Sequence, residues 1–389
     1  MKSLFESPRK SWPTVLFSVV VLLSASIGAF SQSSAMDAVP VLEGLDPVML
    51  VQGKEMQGEL KITVTRGNFQ YLFASEQNKA TFEKDPTRYE IQLEGSCARM
   101  GAPVTGNPDL YSVYKGRIYI FGTEGCKKKF DATPTKYLES ESGARAKPSA
   151  TPDTVKNALA LIDKAVSAMG GAARIDGLTS YQEKSTVLQT RRQGDVEVKT
   201  NLTVVFPDRI RMDQTMPDWN NQTEVRQLAL IITPNEVFGM MSNVVRPLPQ
   251  AARTDQEKEL KRRLISILRA RKSPSLSPTA TGIGKVDQTI VEQVAVDIDR
   301  VPYTLGIEPA TGRILSLSSW RRGPEGHFGQ YVQVFSDFRS VDGLTLPFKI
   351  TTTFDGQPWR EQSPTIEAII VNGKIDPMLF EKPKFKQAP

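Results

Sequence analysis

Cys97 and Cys126 are the only cysteines in a chain of 389 residues, and Met100 stands three positions after the first of them. Thiolate and thioether ligands select copper(I), zinc and similar soft ions, but two thiolates alone leave a tetrahedral zinc site unfilled. Met100 would add a thioether, which suits copper(I) better than zinc. Outside the cytosol a close cysteine pair tends to oxidise, so a structural Cys97–Cys126 disulfide is the leading expectation. A copper or other soft-metal site on Cys97, Cys126 and Met100 is the alternative, followed by unpaired or redox-active thiols. There is no C-x-x-C spacing to depress a thiol pKa, which argues against redox catalysis. No further cofactor is expected.

Other catalytic sets are poorly represented. His327 is the sole histidine, so sites that need two are excluded by count. It follows Arg321-Arg322-Gly323-Pro324-Glu325-Gly326, which reads as a polar hairpin loop, and no G-x-S-x-G elbow accompanies it. Asp297 and Asp299 alternate and so share one side of an expected strand, where two solvated carboxylates are the plainer reading of a possible acid pair. Thr281-Gly282-Ile283-Gly284-Lys285 lacks the spacing of a phosphate loop. The expectation is a binding protein, not an enzyme.

The elements that carry these residues fall into four stretches. Residues 1–31 read as a cleavable signal peptide: Lys2, Arg9 and Lys10 precede an apolar run from Val15 to Phe30, and Ala29 and Ser31 are small. The expected address is the periplasm or the exterior. Residues 140–152, rich in Ser, Gly, Ala, Lys, Pro and Thr, read as a linker. With 39% hydrophobic and 24% charged residues, the two segments it separates can each bury a core. The formal charge is +6. The basic run from Lys258 to Lys272 reads as a solvated helix face, against the pull such a run exerts on anionic lipid or nucleic acid.

An internal repeat organises the first segment. Gly67-Asn68-Phe69-Gln70-Tyr71-Leu72-Phe73-Ala74-Ser75-Glu76, then Lys79, Phe82, Pro86, Thr87 and Tyr89, recurs from Gly116 to Tyr137 with nine identities. Each copy predicts a strand, a helix starting at Ser75-Glu76 or Thr123-Glu124, and a stop before Pro86 or Pro134, with Phe82 and Phe130 inward. A uniform offset of 48 residues pairs Cys97 with Met49 and Cys126 with Asn78. The phrases Gly44-Leu45-Asp46-Pro47-Val48, Tyr71 to Asn78, Phe82 to Tyr89 and Gly95-Ser96-Cys97-Ala98 resemble the YHS family, small modules often found with metal-handling proteins, over residues 42–139.

Residues 153–389 open with a helix, capped by Thr151-Pro152 and carrying Val155, Leu159, Ile162, Val166 and Met169 at helical spacing. Mostly strands follow: 200–206, 209–213, 228–232, 289–298, 302–307, 314–320, 331–338, 345–354 and 365–371. They are divided by turns such as Asp342-Gly343 and Asp355-Gly356. A second helix is expected over Thr254–Arg271, begun by a Thr254…Glu257 capping box, with Leu260, Leu264, Ile267 and Leu268 on one side. The chain is therefore α+β, a small duplicated strand–helix module followed by an antiparallel sheet with helices on one face.

Ala168-Met169-Gly170-Gly171, Phe206 to Arg211, Ser336 to Pro347 and Val371 to Pro377 resemble the outer-membrane lipoprotein carrier superfamily. That likeness implies a curved half-barrel with helices on its concave side. It also implies a ligand groove lined by Phe206, Trp219, Phe238, Met240, Met241, Leu264, Leu268 and Trp320. The implied partner is a lipid or acylated hydrophobic ligand, with envelope proteins or the membrane surface as further partners and no nucleic acid.

Overall fold

The computed structural model describes residues 39–143, 147–191, 194–218, 225–241, 244–248 and 250–382. The expected leader and Trp219 lie outside the described residues. Among the described residues no helix is long and apolar enough to cross a membrane.

The first module has two halves, each built on an antiparallel strand pair that leads into a helix. In one, β1 (Val39–Pro40) pairs parallel with β3 (Phe69–Phe73), which pairs antiparallel with β2 (Glu59–Arg66). In the other, β4 (Ser96–Cys97) pairs parallel with β7 (Arg117–Phe121), β7 pairs antiparallel with β6 (Asn107–Tyr114), and β5 (Gly101–Thr105) adds to β4. The first half carries α1 (Pro47–Val51), α2 (Glu76–Lys84) and α3 (Pro86–Tyr89), and the second carries α4 (Glu124–Ala132). As the sequence predicts, Ser75 and Thr123 cap α2 and α4, and Phe82 and Phe130 are fully buried against aromatic neighbours.

The halves align differently from a uniform offset. Leu42-Glu43-Gly44 and Leu93-Glu94-Gly95 both run with positive φ, and Gly58 N and Gly106 N donate to Gly44 O and Gly95 O at 2.9 Å in both halves. Neither glycine can carry a Cβ: one on Gly58 would lie 2.5 Å from Leu72, and one on Gly106 would lie 2.4 Å from Ile120. On this frame Cys97 corresponds to Asp46, not Met49, because the connection after it is shorter in the second half. The pairing of Cys126 with Asn78 stands.

The second domain is a curved antiparallel sheet. From one edge inward it runs β13 (Val244–Pro247), β12 (Val237–Met241), β11 (Val225–Ile232), β10 (Arg209–Pro217), β9 (Gly194–Val205) and β8 (Ser180–Arg191). β21 (Thr365–Val371) then joins β8 to β19 (Leu344–Phe354), β18 (Phe328–Val341), β17 (Ile314–Arg322), β16 (Val301–Ile307), β15 (Thr289–Ile298) and the other edge, β14 (Leu276–Val286). The short β20 (Gln357–Pro358) pairs with β19. The two edge strands β13 and β14 are consecutive in the chain. The connection between them carries α7 (Gln250–Lys261) and α8 (Leu264–Arg269).

One core cluster lies between this sheet and the helices α5 (Pro152–Ala168), α6 (Ala172–Asp176) and α8. α5 begins at Pro152 with a Thr151/Thr154 capping box, and it buries Ala158, Ile162, Ala165 and Val166, with Met169 at its C-cap. Leu159, expected inward, is exposed because the small Ala158 and Ala165 let the helix approach β14 on a rotated face. The helix expected over Thr254–Arg271 starts earlier, at Gln250, so Thr254 lies within α7 and not at its N-terminus. It also breaks at Arg263, whose extended backbone (ψ 137°) restarts the chain as α8.

Candidate functional site

Two regions gather the residues singled out from the sequence. In the first, Cys97 ends β4 and Cys126 occupies the third position of α4, so the parallel β4–β7 pairing and the turn out of β7 bring both sulfurs together. They are free thiols in hydrogen-bond contact, so the expected proximity is present and the expected disulfide is not formed. Cys97 Sγ also accepts the backbone N–H groups of Gly122 and Met100. The hydrogen bond to Cys126, together with burial, raises the Cys97 pKa. The same hydrogen bond lowers that of Cys126, with burial opposing and with Thr123 and the Arg99 guanidinium assisting.

Arg99 is the group that the sequence reading missed here. It is 7% exposed, and its Nη1 lies 3.0 Å from Met100 Sδ and 3.8 Å from Cys126 Sγ. A buried cation favours a negative neighbour, and Arg99 is one of the groups that lower the Cys126 pKa. Among the described residues no group of three His, Cys, Asp or Glu side chains could hold a metal ion. A soft ion would rely on the two sulfurs and Met100.

The half-barrel closes over this site. Arg322, at the end of β17, donates to Arg99 O at 2.6 Å, Ala98 O at 3.3 Å, Tyr137 O at 3.2 Å and Gly326 O at 2.7 Å, and burial pushes its pKa down to about 10. Two glycines permit the approach. A Cβ on Gly101 would sit 2.6 Å from Arg322 Nε, and one on Gly326 would sit 2.3 Å from Arg99 O, and both glycines have positive φ.

The second region is the hollow of the sheet. Of the expected groove residues, Phe206, Leu264 and Leu268 meet at the core cluster, with Arg269 stacked 4.2 Å over the Phe206 ring. Phe238, Met240, Met241 and Trp320 are corrected by strand register. Phe238 and Met240 pair with Ile231 and Ala229, and they pack on the opposite face of the sheet beneath Phe380. Met241, one residue on, turns to the other face and joins Val198, Met216 and Leu228 in a separate small cluster. Trp320 points away from the core-facing Leu317, and its indole N–H donates to Ser142 Oγ at 2.8 Å. The hollow itself is filled by α8, whose Leu264, Ile265, Ile267 and Leu268 are all buried. Each such side chain stabilises the packed state by about 2 kcal/mol.

A charged layer borders that core. Glu259 on α7 accepts from Arg262 Nη1 at 2.7 Å and from Arg321 Nη1, on β17, at 2.5 Å. Burial would raise the Glu259 carboxyl, but Arg321 and Arg262 outweigh it and hold it below its ordinary value. Arg321 lies 3.8 Å over the Tyr331 ring and donates to Ser319 Oγ at 2.8 Å. Glu183 on β8 accepts from Tyr181 Oη at 2.7 Å and faces Arg263 at 3.6 Å. The basic run is a solvated face only in part: Arg262 and Arg271 are buried against carboxylates, while Lys261, Arg263 and Lys272 are paired with carboxylates but reach solvent. Asp299 lies past the end of β15 in a tight turn and pairs with Lys261, while Asp297 pairs with Lys147, so the two form no acid pair. His327 Nε2 lies 3.4 Å from Asp355 Oδ2 on a loop.

Residues 101–141 match the family model of the YHS domain, a span that takes in Cys126 and leaves out Cys97. The chain carries a YHS domain there. No curated protein matches the sequence. Among solved structures it is similar to a LolA superfamily protein from Nitrosomonas europaea, at 12% identity and TM-score 0.39, covering 58% of this chain and 97% of that one. It is also similar to a putative outer membrane lipoprotein-sorting protein domain from Vibrio parahaemolyticus, at 8% identity and TM-score 0.37, over 59% and 97% of the two chains. A third is a DUF1329 family protein from Desulfovibrio piger, at 14% identity and TM-score 0.38, again over 59% and 97%.

Proposed function

We propose that the protein is a non-enzymatic binding protein of the cell envelope whose half-barrel holds a lipid or acylated chain, with the two halves of its first module forming a duplicated YHS-like accessory unit. One observation carries the ligand part. The hollow is filled by α8, a six-residue apolar helix with no side-chain cap at its N-terminus, on the connection that links the two edges of the sheet. A plug tethered in this way can be exchanged for another apolar chain without unpairing a strand. The envelope address rests on the leader-like N-terminus. Lipid extraction and native mass spectrometry of protein purified from membranes test the reading: a stoichiometric acyl-chain ligand supports it, and protein that takes up no lipid from vesicles rejects it.

A second reading concerns the thiols. Met100 Sδ and Cys126 Sγ lie 3.0 and 3.8 Å from the same Arg99 nitrogen and Cys97 contacts Cys126, so three soft donors share one neighbourhood, which supports capture of copper(I) or a similar ion if Arg99 moves aside. Titration under reducing conditions checks it. One copper(I) per chain, lost in Cys126→Ser, is the expected outcome; no copper bound by reduced protein rejects it.

A further inference from the structure

Resting on the lipid reading, we propose that the half-barrel selects amphiphiles with an anionic head group, a phosphate or carboxylate, and that Arg321 is its anchor while Glu259 is a built-in mimic of that head. Ownership of the charges carries the argument. Arg321 belongs to the sheet, on the same inward-facing side of β17 as Leu317, and its side chain is 12% exposed. Its only carboxylate partner among the described contacts is Glu259, which belongs to the plug segment, as do Arg262 and Arg263.

When that segment leaves the hollow, each sheet charge must find a new partner. Glu183 keeps the Tyr181 hydroxyl at 2.7 Å. Arg321 keeps only Ser319 Oγ and the face of Tyr331, neither of which carries a negative charge. A buried cation left without a counter-charge is strongly disfavoured. An uncharged lipid would leave it so, whereas a head-group phosphate or carboxylate would take over the position of the Glu259 carboxylate, and the guanidinium fork is shaped for either. The acyl chains would then lie where Leu264 and Leu268 lie, beside Phe206.

The test presents the full-length protein with phosphatidylcholine vesicles doped with either phosphatidic acid or diacylglycerol of the same acyl chains, then counts lipid on the reisolated protein. Phosphatidic acid should be taken up about tenfold over diacylglycerol, a 1.4 kcal/mol preference. Glu259→Gln, which loosens the internal mimic, should raise phosphatidic acid uptake further. Arg321→Met should abolish the preference while diacylglycerol uptake persists, and Arg321→Lys, which keeps the charge on a folded background, should retain part of it. Equal uptake of both lipids by the wild type, or a preference that survives Arg321→Met, overturns the head-group assignment and leaves the lipid reading standing. Uptake of neither lipid overturns both. Inorganic phosphate without lipid is the remaining arm: thermal stabilisation that matches phosphatidic acid and depends on Arg321 would mean a free-anion site and overturn the amphiphile.

Discussion

The two halves of the first module set one frame to two uses. In the first half, Asp46 is fully buried and accepts from Val48 N at 2.8 Å, Met49 N at 3.2 Å, Ala74 N at 2.8 Å and Asn78 Nδ2 at 2.7 Å. In the second half Cys97 stands in its place, accepting from Met100 N and Gly122 N, the counterparts of Met49 and Ala74, with Cys126 in the place of Asn78. The frame demands an acceptor at this point because two backbone N–H groups converge on it. A carboxylate meets the demand by accepting from four donors. A thiol pair meets it with a sulfur–sulfur hydrogen bond and a neighbouring arginine, so the same frame holds a carboxylate in one half and two thiols in the other. The chain beyond differs to match: Pro47 starts α1 after Asp46, whereas Gly101 at φ +84° ends the short turn after Cys97 and leaves two carbonyls for Arg322.

The comparison is broken most severely by Asp46→Ala, which strands three backbone donors, one buried and two part-buried, and the Asn78 amide. A loss of about 3 kcal/mol or more is expected in urea unfolding. Gly101→Ala should come next, destabilising by about 1–2 kcal/mol for the left-handed backbone alone. It should also speed the reaction of Cys126 with a thiol reagent as the Arg322 contact is pushed apart. Transplanting the first-half pair, Cys97→Asp with Cys126→Asn, should return stability to within about 1 kcal/mol of the wild type and remove all thiol reactivity. A larger loss would mean that the two cradles are not equivalent.

The pH dependence sharpens the contrast further. Cys126 is held below the ordinary thiol value of about 8.5, so its alkylation rate should stay high as pH falls through that value and decline only at more acidic pH. In Cys97→Ala the midpoint should move back up, since the donated hydrogen bond is the largest cause of the shift. The smallest effect is expected from His327→Ala, within about 0.5 kcal/mol in the same unfolding assay, as for most substitutions on exposed loops.

Much of the frame was legible before the structure. The Ser75 and Thr123 caps, the stops before Pro86 and Pro134, the inward Phe82 and Phe130, and strands such as Thr289–Ile298 and Thr365–Val371 follow from local pattern. The recurrent Leu-Glu-Gly at 42–44 and 93–95 would have matched Cys97 to Asp46, but the shorter connection that follows shifts the offset and hid it. β8 and β14 escaped notice because Ser180–Arg191 is largely polar and Leu276–Val286 contains a proline and two glycines, so neither shows apolar alternation. The groove expectation failed on a single residue of register: Met240 and Met241 are adjacent, so a strand must send them to opposite faces.

The amino-acid sequence by itself determined what local chemistry controls: where helices start and stop, which segments alternate, that the first module contains a repeat, and that no catalytic set is spelled out. Tertiary structure alone decided which charges and sulfurs meet. Arg321 finds Glu259 across 62 positions, and Arg322 finds Arg99 O across 223. Such contacts depend on sheet order, on the break at Arg263 and on two glycines that let backbones approach, and none of these leaves a periodic trace along the chain.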